Sequence, residues 1–151
     1  MDPKFKVMIH VGRPVADVFE AVADPKELSH YFTTGGASAR LEAGKTVTWD
    51  FHDFPGAFPV EVVEVVPNER IVLHWAANEN GKPAGYQTTV TMSFKPTEDD
   101  RTLVEIEENG WRDTDAGFES SYRNCMGWSQ MLAALKMWVE HRINLREGAY
   151  K

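Results

Sequence analysis

The stretch from Glu119 to Arg142, ESSYRNCMGWSQMLAALKMWVEHR, decides how the rest of the chain is read. Cys125, Trp128, Met131, Leu132, Leu135, Trp138, Val139 and Arg142 share one stripe at helical spacing, while Ser129, Lys136, Glu140 and, further on, Arg146 fall mostly elsewhere. This is a long amphipathic helix, beginning near Glu119, whose apolar stripe needs a surface to cover it. Gly127 within it costs about 1 kcal/mol relative to alanine, which implies that something there needs the close approach or narrow side that glycine allows.

The covering surface lies upstream. From about Ala37 to Asn109 the chain reads as strands separated by turn chemistry. Glu42-Ala43-Gly44-Lys45 turns into Thr46–His52, where Val47, Trp49 and Phe51 alternate with polar residues. Asp53 to Gly56 breaks that strand, and Phe58–Val66 follows. Pro67-Asn68-Glu69 turns into Arg70–Trp75, Asn78 to Gly85 reads as a polar loop, and Tyr86–Lys95 and Thr102–Glu108 form a hairpin. Consecutive strands at such intervals argue an antiparallel meander.

At the start of the chain, Phe5, Val7, Ile9 and Val11 mark a half-buried strand. Pro14 opens a helix with Val15, Val18, Phe19 and Val22 on one face, running to about Ala23. Asp24-Pro25-Lys26-Glu27 has the form of a capping box and opens a second, short helix ending near Tyr31-Phe32. Strand, two short helices, a run of strands and one long helix give an α+β architecture, in which a curved sheet can grip the last helix on its concave face.

Composition narrows the function. The 151 residues, 42% hydrophobic and 26% charged, suit a single domain spanning 1–151. The net charge of −7, without a basic cluster, excludes nucleic acid and anionic lipid as first partners. No apolar run approaches the length that crosses a bilayer, so membrane insertion is not expected. One cysteine and an N-terminus without a secretory pattern imply a cytoplasmic protein. The five histidines are scattered and Cys125 has no CxxC partner, so neither a metal site nor a cofactor is expected. Five Trp and eight Phe indicate either a bulky core or a cavity walled by rings.

Strand parity sets the candidate lining. If Val47, Trp49 and Phe51 face the helix, so do Ile71, Leu73 and Trp75, then Val90, Met92 and Phe94, then Val104, Ile106 and Glu108. Glu108 is the odd member of that row. It is either a wet strand end or a polar anchor inside, its pKa raised by burial or its charge held by Arg123 or Arg142. His52 and His74 have the opposite parity and face outward. The candidate ligand-binding residues are Tyr31, Trp49, Phe51, Trp75, Met92, Ile106, Glu108, Trp128, Leu132 and Leu135, each of which core packing alone would also explain. Phe54 and Phe58, with Trp111 and Phe118, either gate an entrance or cap the core. No residue is assigned a catalytic role.

The sequence resembles the helix-grip superfamily of START-like, or SRPBCC, proteins. Within it the likeness is to the family of the C-terminal domain of the activator of the heat-shock protein 90 ATPase. Its carriers are Pro14–Phe19, Asp24–Leu28, Pro67–Trp75, and Gly127-Trp128 ahead of Leu132, Leu135 and Trp138. The family pattern Trp-Phe at the close of the second helix is Tyr31-Phe32 here, which adds a hydroxyl to satisfy. The resemblance implies a helix-grip fold, a curved antiparallel sheet of about six to seven strands wrapped around the terminal helix. It also implies a cavity that encloses a hydrophobic or amphipathic small molecule. Two other functions remain open under it: a co-chaperone-like regulator with a chaperone partner, and a cyclase- or hydratase-like enzyme drawing on Glu108 with Tyr31, Tyr86 or Tyr122. The chain is expected to be a monomer or homodimer.

Overall fold

A computed structural model describes residues 1–151. In chain order the elements are β1 (Lys4–Val11), α1 (Val15–Ala23), α2 (Pro25–Leu28), β2 (Gly36–Ala37), β3 (Thr46–Phe51), β4 (Phe54–Val66), β5 (Arg70–Glu79), β6 (Lys82–Pro96), β7 (Thr102–Asn109) and α3 (Asp115–His141). The strands form one antiparallel seven-stranded sheet in the order β1-β7-β6-β5-β4-β3-β2, curved around α3. This is the α+β helix-grip architecture. No helix is long and apolar enough to cross a membrane.

Register confirms the shared face. Ile71 lies opposite Met92, Leu73 opposite Val90, Met92 opposite Ile106, and Val90 opposite Glu108. Because strand side chains alternate, those pairings place all of these residues on the concave side. There they join Val18, Phe19, Leu28, Tyr31, Trp128, Leu132 and Leu135 in one continuous core. His74 lies on the other face, half-buried, and His52 is exposed in the turn after β3 with its ring against Thr34 Oγ1. Helix α3 is tied to the start of the chain at its far end. Glu140 accepts from the Gly12 amide at 2.7 Å, and Lys136 donates to the His10 carbonyl at 2.8 Å.

Several boundaries differ from the sequence reading, each for a local reason. Helix α3 begins at Asp115, not near Glu119, because Thr114 caps it by accepting from the Gly117 amide at 3.1 Å. Gly117 is required there: a Cβ would lie 2.0 Å from the Arg112 carbonyl oxygen. Residues 54–57 are not a break but the start of β4, since the reversal is confined to His52-Asp53 and Asp50 Oδ1 accepts from the amides of Phe51 and Gly56. The stretch 78–85 is not a loop either. β5 and β6 run on through it to a tight turn at Asn80-Gly81, both at positive φ, with Glu79 opposite Lys82.

Helix α2 ends at Leu28, and its cap is Asp24 accepting from the Lys26 amide at 2.9 Å. Glu27 does not complete a capping box. Its carboxylate instead reaches across to accept from Trp138 Nε1 at 2.9 Å and Arg142 Nη1 at 3.1 Å. Arg142 thereby leaves the stripe for the exposed helix end, while Trp138 stays half-buried against the core. Gly127 also departs from expectation, since a Cβ there would meet nothing within 4 Å and no close approach needs the glycine.

Candidate functional site

Six rings meet between α3 and the β3-β4-β5 part of the sheet. Phe32, from the turn after α2, lies 5.5 Å from Trp49, 5.1 Å from Phe51 and 5.4 Å from Trp128, measured between ring centres. Trp75 lies 6.1 Å from Trp49, 5.4 Å from Trp128 and 5.9 Å from Phe58, and Phe58 lies 5.8 Å from Phe51. Phe51, Phe58, Trp75, Trp128 and Phe32 thus form a closed circuit of contacts, and Trp49 bridges it from Phe32 to Trp75. Trp49 and Trp128 are 1% and 2% exposed, whereas Phe51, Phe58 and Trp75 are half-buried and form the outer side.

Beneath this chamber sits Glu108, with 0% of its surface exposed. Its Oε2 accepts from Trp75 Nε1 at 2.8 Å, Thr88 Oγ1 at 2.6 Å and Asn124 Nδ2 at 3.0 Å. Its Oε1 accepts from Trp128 Nε1 at 2.9 Å and Asn124 Nδ2 at 3.1 Å. Every donor is neutral and no cation pairs with it, so neither Arg123 nor Arg142 plays that part: Arg123 bonds Glu119, and Arg142 bonds Glu27. Burial therefore pushes the Glu108 carboxyl above the ordinary glutamate range, and the bonds from Thr88, Trp75, Asn124 and Trp128 only partly oppose it. Each carboxylate oxygen holds one indole, so Glu108 fixes the orientation of two walls of the chamber at once.

The rim on the β3–β4 side is closed by the C-terminal tail. Arg146 donates to both oxygens of Asp53, at 2.8 and 2.7 Å, with both side chains buried. Its guanidinium stacks 4.5 Å from Phe51 and 4.6 Å from Tyr150. The tail leaves a small apolar cavity of about 110 Å³ against α3, bordered by Tyr31, Met131, Ala134 and Leu145. A larger polar cleft of about 350 Å³ lies outside, between α1 and the end of α3, beside Arg13, Glu20, Glu27 and Arg142. The space between sheet and helix is itself filled by the rings.

Of the ten residues singled out from sequence, the structure gathers Trp49, Phe51, Trp75, Trp128 and Glu108 into the chamber and its floor. Tyr31 is fully buried but stands apart, its hydroxyl donating to the Ala21 carbonyl at 2.8 Å. Met92, Ile106, Leu132 and Leu135 lie deeper in the general core. Phe54 is exposed beside Tyr150, and Trp111 is a buried cap whose Nε1 donates to Ser120. Thr88 and Asn124 were missed, although both carried a signal. Thr88 has the parity of Val90 and Met92, and Asn124 precedes Trp128 by one helical turn. Arg146 and Asp53 had none, being 93 residues apart in sequence. No group of three or more His, Cys, Asp or Glu side chains is placed to hold a metal ion.

Residues 13–140 match the sequence model of the family described as Activator of Hsp90 ATPase homolog 1-like protein. The chain belongs to that family. The family's fold is the one described above, and solved structures agree with it. Protein SSP2350 from Staphylococcus saprophyticus is 24% identical with a TM-score of 0.78, over 95% of this chain and 96% of that one. Protein MLL2253 from Mesorhizobium loti is 21% identical with a TM-score of 0.75, over 94% and 99%. The Aha1 dimer from Colwellia psychrerythraea gives 20% and 0.71, over 91% and 96%. None of the curated proteins matches the chain. The family match spans both short helices, the six strands β2 to β7 and most of α3, so it includes all six rings and Glu108.

Proposed function

We propose that this member of the family is a binding module that encloses a hydrophobic or amphipathic small molecule between the sheet and α3. The observation that carries the reading is the ring cluster, which is closed on itself in this structure and is the volume a ligand would open. Six rings from the α2 turn, β3, β4, β5 and α3 converge on one volume, and the three on its outer side remain half-exposed. Three adjoining half-exposed rings make a contiguous apolar patch over the buried Trp49 and Trp128, which marks a binding surface more than scattered exposed rings would. Rotation of Phe58 outward would open the chamber on the side away from the tail, while Arg146 covers Phe51 and Glu108 keeps Trp75 and Trp128 in place.

The test is a titration with N-phenyl-1-naphthylamine, a neutral probe that fluoresces in apolar surroundings. One saturable site, with quenching of the tryptophan emission, is the expected result. Absence of saturation up to the probe's solubility limit would refute the reading.

A second reading follows from the family match and from the neighbour solved as an Aha1 dimer: a co-chaperone-like regulator that works through its outer surface, as a monomer or homodimer. Stimulation of a heat-shock protein 90 ATPase by the purified chain would favour it. A cyclase- or hydratase-like activity has weaker support. The convergent polar groups exist, but Thr88, Asn124 and both indoles are spent on Glu108, which has no exposed surface.

A further inference from the structure

We infer that the molecule the chamber takes is a neutral, flat, apolar compound carrying a hydrogen-bond acceptor such as a carbonyl, which accepts from Trp49 Nε1. The inference rests on the binding reading above and adds the class of ligand. Trp49 Nε1 is a buried side-chain donor without a partner, and it is the one such atom in the chain. Buried donors are nearly always satisfied, because an N–H taken out of water keeps its demand for an acceptor. The unsatisfied donor here belongs to a ring of the chamber, nearly perpendicular to both Phe32 and Trp75. Its two neighbours in kind, Trp75 and Trp128, already donate to Glu108. One indole has therefore been left without an acceptor in a place where two others have been supplied with one.

Charge restricts the ligand further. The Glu108 carboxylate lies directly behind two walls, which disfavours an anion, and the guanidinium at the rim, Arg146, is spent on both oxygens of Asp53. A box of rings also suits a quaternary ammonium group. A buried N–H without an acceptor, its hydrogen carrying partial positive charge, does not favour a cation, and Glu108 has no free lone-pair direction to receive one. The stacked pair at the outer side, Phe51 with Phe58 at 21°, presents flat faces that match a flat molecule rather than a branched one.

The experiment uses four small probes on the full chain: 1-indanone, indane, indane-1-carboxylate and phenyltrimethylammonium. Binding is followed by the five indole N–H signals in ¹⁵N-¹H correlation spectra, with Trp49 assigned from Trp49→Phe. The expected result is that 1-indanone binds about tenfold more tightly than indane and moves the Trp49 N–H proton downfield, as one new bond to a buried donor should. In Trp49→Phe, which keeps a ring and loses the donor, 1-indanone should fall to the affinity of indane. Should that variant fail to fold, slowed exchange of the Trp49 N–H in the native protein on adding 1-indanone gives the same answer. Equal binding of 1-indanone and indane, with Trp49 unmoved, would overturn the inference and leave the chamber intact as a site. Tighter binding of the carboxylate or the ammonium probe would overturn the choice of a neutral ligand. Failure of all four to bind would remove the binding reading and this inference together.

Discussion

Replacing Glu108 by glutamine tests the floor of the chamber most directly. The carboxylate accepts five hydrogen bonds from four side chains, and the amide can accept at only one of its two ends. With its nitrogen in place of Oε1, Trp128 Nε1 faces another donor. With its nitrogen in place of Oε2, Thr88 can turn its hydroxyl to accept and Asn124 can flip, but Trp75 Nε1 is left unpaired. Either placement strands one indole N–H, at about 1–3 kcal/mol for a buried unsatisfied donor. Against this, the variant removes a carboxyl that burial holds above its ordinary pKa. A carboxyl with a raised folded-state pKa contributes most below its unfolded-state value, and that contribution is lost as pH rises through the folded value.

The destabilisation by Glu108→Gln is therefore expected to be largest near pH 4, at about 1–3 kcal/mol, and to shrink as pH rises. Each tenfold change in proton affinity between the folded and unfolded states accounts for about 1.4 kcal/mol of that change. Groups with lowered pKa, such as Glu105 beside Lys95 and Lys6, make both proteins less stable in acid and cancel in the difference. Urea unfolding of both proteins from pH 4 to 8 measures it, with the indole N–H signals reporting which ring is stranded. A difference that grows with pH, or a variant with both indole signals unmoved, would refute the reasoning.

Three further outcomes are expected. Trp128→Ala should weaken N-phenyl-1-naphthylamine binding more than tenfold, while Trp111→Ala, which removes a cap outside the chamber, should lower stability by about 3–5 kcal/mol and leave probe affinity within twofold; equal losses in the titration would argue against Trp128 as a wall. Asp53→Asn leaves Arg146 buried without its charge partner and should cost about 3–5 kcal/mol in urea unfolding, with faster amide exchange across residues 143–151; Asp53→Asn combined with Arg146→Met should recover part of that loss. Gly127→Ala should raise stability by about 1 kcal/mol, seen as a higher Tm, because the added methyl meets no neighbour and the helix gains propensity; a lower Tm would mean the glycine serves a motion of α3.

The fold was legible because two periods were clean. The inward parity read from Trp49, Leu73, Met92 and Ile106 is the parity the register shows, and the α3 stripe buries Trp128, Met131, Leu132, Leu135 and Val139 as its spacing implied. Parity put Glu108 in the inward row but left a wet strand end and a buried anchor both open; the structure buries it. What could not be read was its partnership. Sequence offered Arg123 and Arg142 as the charged candidates, yet hydrogen bonding by four neutral donors from β5, β6 and α3 holds it instead. Gly127 misled for a similar reason, since a propensity cost shows that glycine is unusual in a helix without saying whether anything approaches it. The Asp53–Arg146 pair lay outside any local pattern, because only the folded tail brings its two halves together.

The chamber contains three indoles in two different states, and that difference bears on what the site is for. Trp75 and Trp128 are each held by an oxygen of Glu108, whose charge is kept out of water at a cost in stability. A core that served stability alone would gain by exchanging such a buried carboxylate and its donors for apolar side chains of similar volume. Retaining it makes sense where the exact placement of two rings matters more than the energy spent. The same standard applied to Trp49, an indole donor with no acceptor, points the same way: phenylalanine would fill that position without a stranded N–H. Both departures from a purely apolar core occur around one volume, beside the half-exposed rings, and the ligand recognition proposed above would account for the two together.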